Sequence, residues 1–341
     1  MSQDPAAPDI SICIANYNGG DFVLACLESV HSQQGEFRME VLVHDDASTD
    51  DSLSRIQALY PEDCIIRSDA NSGFCISNNR MVARARGRYV LLLNNDAVLR
   101  PGSLQQLYSS AENGMQDSVL GLPQCSMADG TIVDHGYRTD PFLNPIPIME
   151  TDTHEAGVAT GACLWIPKRI WDAVGGFPPW FESVAEDIFF CLAARLLGYR
   201  VTVLDGPGFD HCIGMNLGGG KVVSDGLRTT TKRRMLSERN KIFGMLCCYP
   251  AMALIILLPL HAIFLSVEYL FLLATGSSMD QLSRIYAGIP RAIWQRRLEL
   301  RNLRRNLMMH KASSNSRFFS FTDWLPHKVV MLARHGKPYI K

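Results

Sequence analysis

The sequence lacks the short motifs that identify several common classes of protein. Its ten cysteines are scattered and none pairs with another as Cys-x-x-Cys, which argues against a zinc ribbon or a thioredoxin-like site and for reduced thiols in a reducing compartment. No Gly-x-Gly-x-x-Gly follows the first predicted strand, and no Gly-x-x-x-x-Gly-Lys-[Ser/Thr] occurs anywhere. A dinucleotide-dependent dehydrogenase and a P-loop NTPase are therefore both disfavoured.

Glycine and proline are also too few for a low-complexity or collagen-like chain, at 26 and 17 of 341 residues. A chain of this length forms one large domain or two smaller ones. Its first residues, MSQDPAAPDI, are polar, so we expect no secretory signal peptide there.

Net charge is almost absent, at −1, but the two parts of the chain carry opposite charge. Residues 221–341 hold 20 Lys and Arg against 6 Asp and Glu, whereas residues 1–220 hold 13 against 28. This asymmetry predicts different roles for the two parts. The basic part is suited to an anionic partner, either nucleic acid or an anionic membrane surface.

A long uncharged segment decides between these partners. Residues 242–267 contain no Asp, Glu, Lys or Arg, and a run of 18 or more such residues is a candidate membrane segment. Basic clusters flank the run on both sides, so a single crossing would export one of them against the positive-inside preference. We therefore expect a monotopic attachment, broken at Pro250 and Pro259, with the amphipathic segment Ile289–Met308 on anionic headgroups. Nucleic acid is not expected as a partner.

The first hundred residues alternate apolar strand patterns with helical patterns. The predicted strands are Ile10–Ala15, Glu40–His44, Cys64–Arg67 and Tyr89–Leu93, and the predicted helices are Phe22–Gln33, Ser52–Leu59 and Ser77–Arg86. This alternation predicts an α/β fold with a mostly parallel central sheet flanked by helices. Ligands of such sheets bind beyond the carboxyl ends of the strands.

Polar residues collect at those predicted strand ends. Asp45-Asp46 can accept hydrogen bonds from a base or a ribose, although Ser48 to Asp50 beside them are explained by capping of the next helix. Asn94-Asn95-Asp96 offers oxygen ligands for a divalent cation bound to a diphosphate, or forms a simple turn. Asn78 and Asn79 are poor helix formers inside a predicted helix, which points to binding.

The second part of the predicted domain carries two further candidates. Glu186-Asp187 begins an amphipathic helix, where a carboxylate is suited to removing a hydroxyl proton, or serves only as a favourable charge at a helix N-terminus. His211 is either a neutral imidazole metal ligand or a structural histidine.

Four segments follow one another along the chain: SICIANYNGG, VLVHDDASTDDS, NSGFCISNNRMVARARGRYVLLLNNDAVLRPGSL and TGACLWIPKRIWDAVGGF…AEDIFFCLAARLLGYR, with ERN at 238–240 after them. In this order and spacing they resemble the family 2 glycosyltransferases of the GT-A fold, especially bacterial rhamnosyltransferase-like members that build surface polysaccharides. The resemblance covers about residues 8–245.

The resemblance implies a role for each matching position. Asp45 or Asp46 would read the pyrimidine base, Asp96 and His211 would bind the metal, Asp187 would be the general base with Glu186 beside it, and Asn94 replaces the first acid of the Asp-x-Asp motif. The remaining positions would contact the nucleotide, the donor sugar or the acceptor: Ala15, Asn16, Tyr17, Asn71, Gly73, Asn79, Asn94, Asn95, Gly161 and Ala162.

The resemblance implies inverting transfer of a sugar from a dTDP- or UDP-sugar, assisted by Mn²⁺ or Mg²⁺, to a lipid-linked or polysaccharide acceptor. Residues 1–240 would form the GT-A domain and 241–341 the membrane-attachment region, at the cytoplasmic face of the bacterial inner membrane. Two alternatives remain at this point. One is a catalytically inactive, membrane-peripheral protein that binds nucleotide sugars, and the other is a nucleotidyltransferase, which would need a basic phosphate loop after the first strand that NYNGGDF does not provide.

Overall fold

The computed structural model describes residues 7–149, 155–212, 219–223 and 226–340. These residues form two compact units. The first unit is built from the described parts of 1–137, 147–194 and 199–212, and the second from those of 138–146, 195–198 and 213–341. The functional division into 1–240 and 241–341 stays a prediction.

The strands and helices alternate through the first hundred residues, and helices dominate after residue 230. The strands are β1 (Ile10–Asn16), β2 (Met39–Asp45), β3 (Cys64–Arg67), β4 (Tyr89–Asn94), β5 (Ala97–Leu99), β6 (Ser118–Gly121), β7 (Gln124–Ser126), β8 (Ile132–Asp134), β9 (Tyr137–Thr139), β10 (Pro145–Pro147), β11 (Cys163–Pro167), β12 (Arg200–Val203), β13 (Phe209–His211), β14 (Gly219–Val223), β15 (Gly226–Thr229) and β16 (Tyr339–Ile340). The helices are α1 (Gly20–His31), α2 (Ser52–Leu59), α3 (Phe74–Arg84), α4 (Ser103–Glu112), α5 (Lys168–Val174), α6 (Glu186–Leu196), α7 (Thr231–Cys248), α8 (Ala251–Ala274), α9 (Met279–Tyr286), α10 (Gly288–Gln295), α11 (Arg297–Met309), α12 (Asn315–Phe318) and α13 (His327–His335).

The first unit is organised around a seven-stranded sheet in the order β12-β6-β11-β4-β1-β2-β3. Strands β4, β1, β2 and β3 are parallel neighbours, and β11 runs antiparallel between β4 and β6. The apolar side chains of β1 and β4 are buried on both faces, as expected for a sheet covered by helices on both sides. The predicted α/β fold with a mostly parallel sheet is confirmed.

The predicted elements before residue 100 all exist, with shifted ends in some cases. The bounds of α2 and β3 are those predicted, whereas α3 begins at Phe74 rather than Ser77. The earlier start follows from Asp46, which accepts hydrogen bonds from the residues directly before the helix. The residue pattern within one predicted element cannot reveal that contact, because the contact joins two segments that are distant in the sequence.

A smaller sheet in the order β5-β13-β7-β8 lies within the first unit. Strand β13 pairs antiparallel with β5, which places His211 opposite Ala97. Asp96 directly precedes β5, so this pairing brings the two predicted metal ligands side by side. The second unit is mainly helical, and its β14, β15 and β16 form a separate three-stranded sheet.

The apolar segment predicted to attach to a membrane is interrupted once rather than twice. The break lies at Tyr249 and Pro250, between α7 and α8, as expected for a residue that cannot continue a helix. Helix α8 runs through Pro259, so the predicted second break is wrong. A proline removes one backbone hydrogen bond, and Leu257 and His261 on either side of Pro259 are buried, so packing holds the helix in place.

Candidate active site

Polar side chains meet at the carboxyl ends of three adjacent strands in the first unit. The strand register pairs Asn16 of β1 with Asp45 of β2, and Ala15 of β1 with Asn94 of β4. These are the positions that the sequence predicted for the nucleotide and the metal. The shared edge follows from the parallel arrangement, in which equivalent strand ends lie side by side.

Asn16 is the centre of a buried hydrogen-bond network at this edge. Its Nδ2 donates to Asp45 Oδ1 at 3.0 Å and to Ser52 Oγ at 3.0 Å, and its Oδ1 accepts from Asn95 Nδ2 at 3.2 Å. A β-carbon on Gly19 would lie 2.3 Å from Asn16 Oδ1, so only glycine leaves room for this network. The network fixes the strand ends that carry the predicted nucleotide-binding residues, and it leaves the neighbouring Tyr17 side chain exposed.

Asp46 fastens the start of α3 to the end of β2. Its Oδ1 accepts from the backbone N–H of Ser72 at 2.8 Å and from the Ser72 hydroxyl at 2.6 Å, and its Oδ2 accepts from the Gly73 N–H at 2.8 Å. Burial raises the pKa of Asp46, but these hydrogen bonds outweigh it and leave the pKa below its ordinary value. Gly73 has φ of +89°, a conformation that favours glycine. Whether Asp45 or Asp46 also reads a base stays a prediction.

The predicted donor-contacting residues of α3 and the preceding loop lie in two different environments. Asn71 lines an open cavity of about 440 Å³ together with Arg67 and Arg80. The Asn79 amide instead donates to the Phe177 carbonyl at 2.7 Å and accepts from the Phe177 N–H at 3.0 Å. Asn78 donates to the Phe74 carbonyl within its own helix. Thus Asn71 faces space for a ligand, whereas Asn79 joins α3 to the loop before α6; the donor contact of each stays a prediction.

Asp96 and His211 form a close pair at the edge of the smaller sheet. His211 Nε2 lies 3.1 Å from Asp96 Oδ1 and 3.4 Å from Asn94 Nδ2. His211 Nδ1 and Asn94 Oδ1 are buried without a hydrogen-bond partner. The backbone holds the pair in place, since the Cys212 N–H donates to the Asp96 carbonyl and the Asn94 N–H to the Ala162 carbonyl.

This pair fits a divalent cation that is bound mainly by a diphosphate. No cluster of three or more His, Cys, Asp or Glu side chains suited to a metal occurs among the residues that the structure describes. A magnesium-type cation on a diphosphate, however, needs only one or two protein ligands. The Asp96 carboxylate and the His211 imidazole supply such a set, and the buried, unpartnered Asn94 Oδ1 lies on the residue whose Nδ2 contacts His211.

Asp187 lies at the beginning of α6, where the backbone orients its carboxylate. Its Oδ2 accepts from the Gly161 N–H at 3.0 Å, and its Oδ1 accepts from the Ile188 N–H at 2.8 Å. The N-terminus of a helix also favours a negative charge. A β-carbon on Gly161 would lie 3.2 Å from the Asp187 β-carbon, so the two residues are in close contact. The predicted acceptor-site glycine and the predicted general base are therefore neighbours.

The loop before α6 holds an unusual backbone conformation. Glu182, Val184 and Ala185 have φ of +62°, +69° and +66°, values that non-glycine residues rarely adopt and that a β-branched valine disfavours strongly. Strained backbone of this kind is concentrated at functional sites. The strain therefore supports a functional role for the start of α6, where Glu186 is buried beside Asp187.

Asp134 is a buried acid near the site that the sequence analysis missed. Its Oδ2 accepts from the Tyr137 hydroxyl at 2.5 Å and its Oδ1 from the Gly136 N–H at 2.9 Å. Burial raises the pKa of Asp134 to about 6, and the Asp187 carboxylate also raises it, against the lowering effect of the hydrogen bonds from Tyr137 and Gly136. The pattern TIVDHG, an acid that ends a short strand, is the signal that could have identified it.

Comparison with known proteins identifies the part of the chain that carries this geometry. The profile of glycosyl transferase family 2 matches residues 11–175. Residues 11–175 form a family 2 glycosyl transferase domain. The family predicted from the sequence segments is confirmed, while the rhamnosyltransferase-like subtype stays a prediction.

Curated relatives of the glycosyl transferase domain include proteins named for polysaccharide synthesis. The succinoglycan biosynthesis protein ExoO of Rhizobium meliloti is 32% identical over 122 residues, covering 35% of each chain. The chondroitin synthase of Escherichia coli is 34% identical over 192 residues, covering 55% of this chain and 26% of the synthase. The matches span 35% of the length of ExoO and 26% of the length of the chondroitin synthase, so the likeness concerns a domain.

Solved structures share the fold at low sequence identity. GalNAc-T7 with UDP, GalNAc and Mn²⁺ superposes with a TM-score of 0.64 at 11% identity, over 97% of this chain and 59% of the other. TarS of S. aureus in complex with UDP superposes with a TM-score of 0.53 at 16% identity, over 88% and 90%. The predicted GT-A fold is thereby confirmed.

Proposed function

We propose that this protein transfers a sugar, with inversion, from a nucleotide-diphosphate donor to a hydroxyl group of a growing surface polysaccharide or its lipid-linked precursor. The family 2 domain and the polysaccharide-synthesis names of its relatives support the reaction class. The observation that carries the proposal is Asp187, a carboxylate oriented by two backbone N–H groups at a helix N-terminus beside Gly161.

Asp187 would act as the general base. Its carboxylate removes the proton of the acceptor hydroxyl while the oxygen attacks the anomeric carbon. The bond between that carbon and the diphosphate oxygen breaks on the opposite face, and the nucleoside diphosphate leaves with the electron pair. Attack opposite the leaving group inverts the anomeric configuration.

Asp96 and His211 would bind the divalent cation, Mn²⁺ or Mg²⁺, with Asn94 Oδ1 close by. Such a cation neutralises charge on the leaving diphosphate when it is bound. The chain's own contribution is the backbone support of Asp96 and the half-buried placement of His211, which hold Asp96 Oδ1 and His211 Nε2 3.1 Å apart. GalNAc-T7 was solved with Mn²⁺, and so was the mannosyltransferase PcManGT from Pyrobaculum calidifontis with GDP-Man, which supports a cation here.

The donor is proposed to be a dTDP- or UDP-sugar, with the nucleotide beyond the ends of β1 and β2. The acceptor is proposed to be lipid-linked, because the second unit carries α8, which is apolar and long enough to cross a membrane. An enzyme attached to the membrane meets such an acceptor at high effective concentration. The proposed location is the cytoplasmic face of the bacterial inner membrane, in peripheral or monotopic attachment.

A donor screen tests this function directly. Purified protein is incubated with UDP-, dTDP- and GDP-sugars, with Mn²⁺ or with EDTA, and the released nucleotide is identified. The proposal predicts slow release of a nucleoside diphosphate from one donor, because the bond to the anomeric carbon breaks. Release of a nucleoside monophosphate would instead indicate nucleotidyl transfer at phosphorus. Binding of a donor without any release or transfer, in the presence of candidate acceptors, would favour the inactive binding protein.

A further inference from the structure

Helix α8 has an apolar face that the protein leaves uncovered. Its exposed residues recur every three or four positions and thus lie along one side of the helix. Its large exposed apolar residues are Met252, Ile255, Ile256, Leu260, Ile263, Val267, Leu270, Phe271 and Leu273. Contiguous exposed apolar surface of this kind marks a site of interaction with a membrane or a protein.

The opposite face of α8 packs against the second unit. Leu257, His261, Leu265 and Leu272 are buried on that side, and the His261 ring stacks on Phe142 with centroids 4.9 Å apart. Leu265 belongs to an apolar cluster that includes Ile242 of α7 and Ile289 of α10. Helix α8 therefore has one face that packs on the protein and one face that is uncovered, although it is apolar in its composition.

A buried cluster of ion pairs also holds α8 to its unit. Glu238 of α7 is 2% exposed and lies 3.0 Å from Lys241 Nζ and 2.7 Å from Lys328 Nζ. Lys328 Nζ also lies 2.8 Å from Glu268 Oε2 of α8. Glu268 is paired with Arg234 of α7 as well. One carboxylate of α8 thus joins cations from α7 and α13.

These contacts decide the orientation that α8 can take in a membrane. A helix that crossed the bilayer alone would leave Arg234 and Lys328 without Glu268 and would place His261 in hydrocarbon. Separating these partly buried charges from their partners is unfavourable, and charged or polar groups such as Glu268 and His261 are expensive inside a bilayer. A helix that lies in the plane of the interface keeps every one of these contacts and buries its uncovered face in lipid.

A second exposed stripe of the same unit carries positive charge. Arg291, Trp294, Arg297, Leu298, Arg301 and Arg305 are exposed along α10 and α11, again three or four residues apart. The Arg297 guanidinium lies over the Trp294 ring at 4.4 Å from its centroid. Arginine beside exposed tryptophan and leucine matches the interface of an anionic bilayer, where headgroups are negative and the boundary is partly apolar.

We propose that α8 lies in the plane of an anionic membrane and remains folded on the second unit, rather than crossing the bilayer. The occupant of its uncovered face is lipid, chosen over a second copy of the chain because the same unit presents an arginine stripe that suits anionic headgroups. The inference rests on the membrane attachment proposed above. It adds the orientation of α8 and the packing and ion pairs that fix this orientation.

The orientation is tested on the full chain with an epitope tag at each terminus. An in-plane helix leaves both termini on the cytoplasmic side, so protease should remove neither tag in spheroplasts and both in inverted membrane vesicles. A helix that crosses once places the termini on opposite sides. Removal of one tag in spheroplasts would overturn the in-plane orientation while leaving membrane attachment intact, and absence of the protein from membranes would overturn both.

The face is tested by a matched pair of substitutions. Ile263→Asp changes the uncovered face of α8, and Leu59→Asp changes an apolar residue of the first unit with similar exposure, 59% against 60%. We expect Ile263→Asp to reduce binding to vesicles containing phosphatidylglycerol by about ten-fold or more, and Leu59→Asp to leave it unchanged. Melting temperature and donor turnover in solution should be unaffected by either change.

Two results would overturn the lipid assignment. One is equal vesicle binding by the Ile263→Asp variant and the unsubstituted protein. The other is that the unsubstituted protein sediments as a dimer and the Ile263→Asp variant as a monomer, while the variant still binds vesicles. That result would assign the face to a second copy of the chain.

Discussion

Replacing Asp46 by Asn tests whether this residue is a structural clamp. The carboxylate is almost fully buried and accepts three hydrogen bonds from Ser72 and Gly73. Hydrogen bonds to a charged group contribute about 1.5–3 kcal/mol each. Asparagine keeps one acceptor oxygen, so it loses at least the bond to one of the two residues, and we expect a loss of about 1.5–3 kcal/mol in the free energy of unfolding.

The direction of the Asp46 pKa shift determines how the stability difference between the two proteins depends on pH. Because the folded state holds the pKa of Asp46 below its ordinary value, ionised Asp46 stabilises the fold above about pH 4, and this contribution is lost as pH falls through the lowered pKa. The difference between the native protein and Asp46→Asn should therefore be constant near neutral pH and should shrink in acid.

Urea or thermal unfolding of both proteins between pH 3 and pH 7 measures this difference, with about 2–4 °C of melting temperature expected per kcal/mol. Asp21→Asn is the control, because Asp21 is an exposed acid paired with Arg55 and such pairs contribute about 0–1 kcal/mol. Unchanged stability of Asp46→Asn, together with an altered preference among nucleotides, would refute the clamp and would assign Asp46 to base recognition.

Three further predictions follow from the cation site, the buried ion cluster and the membrane surface. Asp96→Ala and His211→Ala should weaken nucleotide binding in calorimetry with Mn²⁺ more than in EDTA; normal binding by both variants in both conditions would remove the cation from this site. Glu238→Leu should lower the free energy of unfolding in urea by about 3–5 kcal/mol, because it leaves Lys241 buried without its carboxylate. Adding Lys241→Met should recover part of that loss. A loss below about 1 kcal/mol would show that the cluster contributes little to stability. Salt at 1 M should elute the protein from membranes only in part, since screening weakens headgroup contacts but not apolar insertion; complete elution would leave a purely electrostatic attachment.

Local pattern was sufficient for the part of the fold nearest the proposed nucleotide site. Strands such as YVLLL are apolar throughout, so they predict a buried parallel sheet, and the parallel arrangement brings Asn16, Asp45 and Asn94 to one edge. The pairing of Asp96 with His211 follows from β13 beside β5, which joins residues 115 positions apart. Spacing alone cannot give that pairing; the family resemblance supplied it.

Features that depend on contacts between distant residues could not be predicted from the sequence. The role of Asp46 in starting α3 and the role of Asn79 in holding Phe177 each need a partner that local periodicity does not specify. Asp134 ends a short strand in the pattern TIVDHG, but its complete burial, which distinguishes it from an ordinary turn acid, depends on packing. The continuity of α8 through Pro259 likewise depends on packing, since propensity alone predicts a break.

Asp187 carries the central claim, and its isosteric amide tests it most directly. Asp187→Asn preserves volume but cannot take the proton of the acceptor, and general-base catalysis contributes about 10²–10⁴-fold. One of the two backbone bonds to Asp187 loses its charge-assisted acceptor, so unfolding must be measured in parallel to separate misfolding from loss of chemistry. Glu186→Gln is the matched control at the neighbouring position.

The deciding measurement is kcat for sugar transfer by the two variants, with donor affinity measured on the same preparations. The account predicts that Asp187→Asn lowers kcat by about 10²-fold or more with donor affinity nearly unchanged, while Glu186→Gln retains most of its rate. Retained activity in Asp187→Asn with loss in Glu186→Gln would assign the base to the other carboxylate. Full activity in both variants would contradict general-base catalysis at the start of α6.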